Sequence, residues 1–214
     1  VSAVVAGLVR RDPDVVLLTD IDWDHGQIAL SALGDRLAAA GLDLPHRYAP
    51  RPNTGMDSGA DLNGDGRLGT ARDAQGYGRF TGQGGMALFS RFPLGPGQEL
   101  SDRLWRDLPG TAMAPDDPTR EIQRLSHGGH WIVPIKTPSG PVTILAFSAG
   151  PPVFDGPEDR NGRRNADEIR LWQHLLDGAL DIAPPAGPVA VMGHANLDPV
   201  DGEGVHAAIR ALLD

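Results

Sequence analysis

The sequence predicts a layered α/β or α+β sandwich with mixed sheets. Short apolar segments typical of buried strands alternate along the chain with amphipathic helical patterns. The segment at residues 15–19 lacks the polar alternation of a half-exposed strand, which indicates that both of its faces are covered. The apolar segment at residues 189–192 is also predicted to be a buried strand. We find no internal repeat and no linker in the 214 residues, so a single domain is expected over residues 1–214.

Four helices are predicted from apolar residues spaced by three or four positions. They cover residues 1–10, 26–40, 164–178 and 203–213. The apolar face of the first helix is formed by Val1, Val4, Val5, Leu8 and Val9. Pro13 follows this helix and cannot continue it, and Gly41 stands where a helix commonly ends.

Strands are predicted from short runs of aliphatic and aromatic residues bounded by turn residues. They cover residues 15–19, 46–49, 86–90, 131–135, 142–147 and 189–192. The sequence between the fourth and fifth strands, Thr137-Pro138-Ser139-Gly140, predicts a hairpin.

Two long segments carry no periodic pattern. Residues 50–84 are rich in glycine and poor in aliphatic residues, and a loop of this length in a compact domain is usually functional or else disordered. Residues 93–130 are also predicted to be irregular, with Trp105 and Leu108 as buried anchors.

Composition limits the classes of partner. The formal net charge of −9 disfavours a protein that holds long nucleic acid by neutralising phosphates. It leaves open a small phosphate ester bound at a metal site, because the metal supplies positive charge locally. The absence of cysteine excludes disulfides and thiolate metal sites. No apolar run approaches the roughly 18 residues of a membrane span, so no membrane partner is expected.

Three predicted strands end in polar side chains. Asp20 and Asp22 follow the first strand, Ser148 follows the fifth, and His194 and Asn196 follow the last. Open α/β folds bind ligands at the carboxyl edge of the sheet, so these strand ends predict a site. Asp20 and Asp22 are either Mg²⁺ ligands or solvated acids.

The polar residues of the last strand end also have two interpretations each. His194 is a candidate metal ligand or general base, and Asn196 either donates to a phosphoryl group or stabilises a turn. His127 and His130 are further imidazoles, for which a structural role is expected.

Two polar segments are further candidates. Asp61, Asn63 and Asp65 stand at alternate positions like the first half of a Ca²⁺ loop, but Arg72 takes the place of its last ligand. The segment therefore either wraps Ca²⁺ or hydrogen-bonds only to itself.

The second of these segments, residues 155–168, carries Arg163, Arg164 and Asn165. The planar guanidinium groups suit a phosphate, and the alternative is a solvated helix start with Arg–Asp pairs.

With these motifs the sequence resembles the endonuclease/exonuclease/phosphatase family. The likeness extends over nearly the whole chain, and its markers are residues 14–24, 52–56, 83–86, 151–165 and 193–199. The resemblance implies a four-layer sandwich in which two mixed β-sheets pack between helices. It also implies a phosphoesterase site that uses Mg²⁺ or Mn²⁺ at one end of the sheets, with a small molecule or a nucleic acid as the phosphate ester substrate.

The resemblance also assigns roles to the candidate residues. Asp20 is implied as the metal ligand. The implied catalytic residues are Ser148, His194 and Asn196, and the implied substrate-binding residues are Arg163, Arg164 and Asn165.

The sequence departs from the family pattern at three of these positions. Family members usually have Glu at position 20, His at position 148 and Asp at position 194, whereas Asn196 is unchanged. Two hypotheses follow. The chain is either a metal-dependent phosphodiesterase or phosphomonoesterase, or a catalytically silent relative that binds an ion, a ligand or a protein partner.

The resemblance further implies a strand before Val1 and strands after Asp214. The domain is therefore expected to be incomplete at both ends, with a second chain as one way to complete its sheets. The first residue is Val rather than Met, which suggests a processed or trimmed chain and leaves the localisation open, export included.

Overall fold

Two β-sheets lie between two pairs of helices in the computed structural model, which describes residues 2–214. Val1, which was predicted to join the apolar face of the first helix, lies outside the described residues. The helices are α1 (Ser2–Arg11), α2 (Ile28–Ala39), α3 (Arg160–Leu176) and α4 (His206–Leu213). The strands are β1 (Val15–Ile21), β2 (His46–Tyr48), β3 (Gly85–Ser90), β4 (Gln98–Glu99), β5 (Gly129–Thr137), β6 (Gly140–Ser148) and β7 (Val189–His194).

The first sheet has the order β1-β3-β2 and is antiparallel throughout. The second sheet has the order β4-β5-β6-β7 and is mixed, because β7 runs parallel to β6. The expectation of two mixed sheets therefore holds for the second sheet only. The hairpin predicted between β5 and β6 is confirmed, with Pro138 and Ser139 as the turn residues between the paired Thr137 and Gly140.

Side-chain alternation along each strand produces the four layers. In β1, Val16 and Leu18 pack against α1 and α2, while Val15 and Leu17 face the second sheet. In β6, Ile144 and Ala146 face the first sheet. Its neighbouring side chains Leu145 and Phe147 pack against α3. Strand β3 and the central parts of β5 and β6 carry apolar residues at successive positions because both of their faces are covered. The two segments expected to be buried are less covered: only Val16 of β1 is buried, and β7 is an edge strand on which Val191 is 37% exposed.

The two long segments are irregular but ordered. Residues 50–84 contain no helix and no strand, and Asn53 fixes them to residues 101–130. Its amide nitrogen donates to the carbonyls of Ser101 and Ser126 at 2.6 and 2.8 Å. Its amide oxygen accepts from Arg124 at 2.9 Å, and the side chain is fully buried. The two segments thus satisfy each other's buried polar groups.

Trp105 and Leu108 are buried, as expected for anchors of the irregular segment. Trp105 lies in a single turn of 3₁₀ helix at Trp105–Asp107, and its indole nitrogen donates to Asp167 of α3 at 2.7 Å. None of the helices within residues 2–214 is both long enough and apolar enough to cross a membrane.

The role of Asn53 can be tested by substitution. We expect Asn53→Ala to lower the free energy of unfolding by about 3 kcal/mol, because it leaves buried carbonyls without a donor. Asn63→Ala is the matched control in the same segment, where the side chain is exposed and bonds only to Asp65. It should change stability by less than about 0.5 kcal/mol. Equal effects of the two substitutions in urea unfolding would contradict the role assigned to Asn53.

Candidate functional site

The carboxyl ends of β6 and β7 bring three of the predicted site residues together. Ser148 and His194 are paired in the parallel register of the two strands. Asn196 lies in the left-handed backbone region at φ 54°, and its amide nitrogen is 3.4 Å from the carbonyl oxygen of Ala149. Gly193 allows β7 to approach this closely, since a Cβ atom there would lie 2.0 Å from the carbonyl oxygen of Phe147.

Asp20 stands at the end of β1 in a β-bulge. The pairing of β1 with β3 shifts register between Thr19 and Ile21, and Asp20 has a φ of 58°. Bulges redirect a side chain out of the regular pleat. The Asp20 carboxylate consequently lies beside Gly84, where a Cβ atom would be 2.9 Å from its Oδ1. Asp22 reaches the same glycine and accepts a hydrogen bond from the Gly84 N–H at 2.9 Å.

A short series of contacts connects the end of β1 to the end of β6. Pro52 packs against Gly85, the first residue of β3 and the partner of Ile21. The next residue, Asn53, donates its N–H to the carbonyl of Gly128 at 3.0 Å. Gly128 in turn donates to the carbonyl of Ser148 at 3.0 Å.

Asp20, Ser148, His194 and Asn196 therefore lie at one edge of the sandwich, which we call the strand-end site. Among residues 2–214 no hydrogen bond joins Asp20 directly to the other three.

Helix α3 holds the loops of the strand-end site in place. The Asn165 amide nitrogen donates to the carbonyl of Gly150, after β6, at 2.8 Å and to that of Ala195, after β7, at 2.9 Å. Its amide oxygen is buried without a protein partner. Asn165 was predicted to bind substrate. In the structure its amide nitrogen joins the loop after β6 to the loop after β7.

Glu168, also on α3, was not singled out from the sequence. Its carboxylate accepts the N–H of His127 at 2.6 Å and the N–H of Gly150 at 2.8 Å. Burial raises the pKa of Glu168 to about 7, and the neighbouring Arg164 opposes this rise. The signal in the sequence was a polar residue on the inner face of an amphipathic helix, one turn after Arg164.

The two predicted substrate-binding arginines are placed differently from the expectation. Arg164 is buried, and its guanidinium donates to four backbone carbonyls, those of Gln75, Arg124, Leu125 and Ser126. These contacts leave it a structural role. Arg163 is half-exposed and makes only long contacts with the carbonyls of Ala112 and Asp159, at 3.4 and 3.3 Å. Because Arg163 and Asn165 are two residues apart on a helix, Arg163 faces away from the loops that Asn165 joins.

The Asp61–Asp65 segment hydrogen-bonds to itself. The Asp61 carboxylate accepts from the N–H groups of Gly64 and Gly66, each at 2.7 Å, and Asp65 accepts from Arg67 and from the Asn63 amide. This corresponds to the second of the two interpretations of the sequence. Nothing in this geometry adds support for Ca²⁺.

The strand-end site offers few ligands for a divalent metal. Among residues 2–214 there is no group of three or more His, Asp or Glu side chains that could hold a metal ion. Asp20 is nevertheless exposed, and no described residue donates a hydrogen bond to its carboxylate. Mg²⁺ commonly takes one or two carboxylates and keeps several waters, so Asp20 together with Asp22 fits such an ion.

The two further imidazoles differ from each other. His130 is buried with both ring nitrogens engaged, one 2.7 Å from the Ser126 hydroxyl and one 2.9 Å from the Glu168 carbonyl. These two bonds agree with the structural role expected for His130. His127 is half-buried, and its ring lies beside Gly150, two residues beyond Ser148.

A family model described as the Endonuclease/Exonuclease/phosphatase family matches residues 1–214. The chain belongs to this family. Its expected four-layer sandwich is the fold described above. No protein of curated function matches the sequence.

Solved structures of low sequence identity share this fold. Sphingomyelinase C from Streptomyces griseocarneus is 18% identical with a TM-score of 0.53, and the match covers 99% of this chain and 60% of that one. A β-hairpin deletion mutant of beta toxin from Staphylococcus aureus is 13% identical with a TM-score of 0.52, covering 99% of this chain and 63% of that one.

A second beta toxin structure from Staphylococcus aureus, with bound magnesium ions, is 14% identical with a TM-score of 0.50, covering 94% and 56%. The chain thus spans about three fifths of the length of these neighbours.

The buried His130 predicts a pH effect on stability. Burial lowers its pKa from 6.5 to about 4, so below pH 6.5 the unfolded chain binds a proton that the folded chain does not. The contribution of His130 to the free energy of unfolding therefore falls as the pH falls from 6.5 towards 4. We expect His130→Gln to reduce the stability difference between pH 7 and pH 5 by about 2 kcal/mol. Urea unfolding at both pH values measures this, and an unchanged difference would refute it.

Proposed function

We propose that this chain hydrolyses phosphate esters, as a phosphodiesterase or phosphomonoesterase that uses Mg²⁺ or Mn²⁺ at the strand-end site. The observation that carries the proposal is the convergence of polar strand ends from two sheets at one edge, in a chain of this family.

Asp20, with Asp22 beside it, would hold the metal ion. The bulge that turns Asp20 out of the strand and its lack of a protein hydrogen-bond donor support this role. A bound ion would neutralise charge on the phosphate and so favour its binding at a chain of net charge −9.

The ends of β6 and β7 would contact the phosphate itself. His194 is exposed at the end of β7, where its imidazole is free to act as a base or as a further metal ligand. The Asn196 amide keeps donor capacity, since its one contact, at 3.4 Å, is long. An amide donor placed beside developing phosphoryl charge stabilises the transition state. The Ser148 hydroxyl supplies a neutral hydrogen bond where the family usually has an imidazole.

The substrate class follows from charge. A basic groove that would track a nucleic-acid backbone needs exposed cations near the site. Of the two candidate arginines, Arg164 is buried against backbone carbonyls, and Arg163 faces away from the loops of the site. The strongly negative chain accordingly favours a small phosphate ester, with nucleic acid as the second choice.

The competing proposal is a catalytically silent relative that binds an ion, a ligand or a protein through the same edge. It is favoured by Ser148 and His194 at positions where the family has His and Asp, and by the absence, within residues 2–214, of a three-residue metal group.

Hydrolysis can be measured directly. We expect the purified protein to hydrolyse a generic phosphodiester or phosphomonoester with Mg²⁺ or Mn²⁺, and to lose this activity on chelation. Absence of turnover on both substrate types with both ions would reject the enzymatic proposal.

The double substitution Ser148→His with His194→Asp separates the two proposals. If the chain is silent, activity should be undetectable in the wild type and present only in the double variant, by a factor of about 10² or more. High activity in the unmodified chain would refute the silent proposal.

Removing the proposed metal ligand tests its position. We expect Asp20→Asn to raise the metal concentration that gives half-maximal activity by at least about tenfold, because the amide binds a hard cation less well than a carboxylate does. Asp65→Asn is the control at the other acidic segment and should leave this concentration unchanged. The reverse pattern would place the functional ion at Asp61–Asp65 instead.

A further inference from the structure

We propose that His127, rather than His194, is the base that takes the proton of the attacking water at the strand-end site. This inference rests on the proposed phosphoesterase function and concerns a residue that the family pattern does not point to. It would account for the loss of the usual histidine at position 148.

The position of the ring is the first argument. A Cβ atom on Gly150 would lie 3.0 Å from Cδ2 and 3.1 Å from Cγ of His127. Gly150 is two residues beyond Ser148, and the next residue after His127, Gly128, donates its N–H to the Ser148 carbonyl. The His127 ring therefore lies against the same strand end that carries Ser148.

Helix α3 also fixes the position of the His127 ring. The two oxygens of the Glu168 carboxylate accept the N–H groups of His127 and Gly150, so one buried side chain of α3 holds the backbone on both sides of the contact. Any side chain larger than hydrogen at position 150 would displace the ring. Groups that act on a substrate need this kind of support from a rigid helix or strand.

The ring nitrogens are the third argument. Among the described residues, no hydrogen bond involves a ring nitrogen of His127, whereas both nitrogens of His130 are bonded within the protein. Neither nitrogen of His127 is among the buried side-chain atoms without a partner, so both retain access to solvent. The ring atoms nearest to Gly150 are carbons, which leaves the nitrogens for a ligand.

The His127 ring is neutral at pH 7 and can accept a proton, although its pKa in the free protein makes it a weak base. Loss of solvation, with the charge of Arg164, lowers the pKa of His127 to about 3, so the ring is neutral at pH 7. A bound phosphate would raise this pKa, because a neighbouring negative charge favours imidazolium.

The reaction step balances without any further reagent. The water oxygen forms a bond to phosphorus and its proton passes to a nitrogen of His127. The bond from phosphorus to the leaving oxygen breaks, and that oxygen takes a proton from solvent. The imidazolium then returns its proton to solvent.

The test compares His127→Ala with His174→Ala, a half-exposed histidine near the other end of α3. With Mg²⁺ and bis(p-nitrophenyl) phosphate, His127→Ala should lower kcat by about 10²–10⁴, while His174→Ala stays within about twofold of the wild type. Added imidazole should restore part of the activity of His127→Ala only. The backbone N–H that bonds Glu168 is retained in the variant, so both variants should unfold at the wild-type temperature.

The outcomes separate this inference from the proposed function. An active wild type with an equally active His127→Ala variant overturns the inference and leaves the function intact. Loss of activity without rescue, together with lower stability, also overturns it in favour of a structural role. A wild type without activity overturns both.

A second measurement is independent of turnover. Inorganic phosphate added without metal should shift the imidazole NMR signals of His127 and raise its pKa, with no shift of the signals of His130. Unchanged His127 signals would count against the inference.

Discussion

The fold depends on a buried polar face of α3 that satisfies the backbone of the loops around it. Irregular segments cannot bond their own N–H and carbonyl groups as helices and sheets do, and burying such groups without partners is costly. Arg164 supplies donors to four carbonyls, Asn165 to two, and Glu168 accepts two N–H groups. One helix thus fixes the loops that follow β6 and β7, which are the loops that carry the strand-end site.

The same interactions engage the buried polar side chains of α3 with backbone groups of the protein. A buried charge or amide needs several partners, and backbone groups of the neighbouring loops provide them here. The side chains at this edge include the exposed His194 at the end of β7 and the half-buried His127 just before β5. Helix α3 bonds the backbone of His127 itself and that of Ala195, the residue after His194.

The sequence predicted most of the fold because runs of aliphatic residues mark the strands, and this signal holds even at β1 and β7, which are only partly buried. The predicted start positions of two helices were less accurate. Helix α3 begins at Arg160, and the sequence pattern missed its first turn because that turn carries no apolar residue. Helix α4 begins at His206 rather than at residue 203, because Gly202 and Gly204 have positive φ values that a helix does not allow. The strand ends of the site were predictable, whereas the bonds from Glu168 to residues 41 and 18 positions earlier follow no local pattern.

We propose that the carboxyl edge of the two sheets binds a divalent metal ion and a phosphate ester. Anomalous diffraction from crystals grown with Mn²⁺ and inorganic phosphate can locate both. We expect a Mn²⁺ peak about 2.1 Å from a carboxylate oxygen of Asp20, with phosphate between that ion and the side chain of Asn196. A Mn²⁺ peak only at Asp61–Asp65, or phosphate bound away from the ends of β6 and β7, would contradict it.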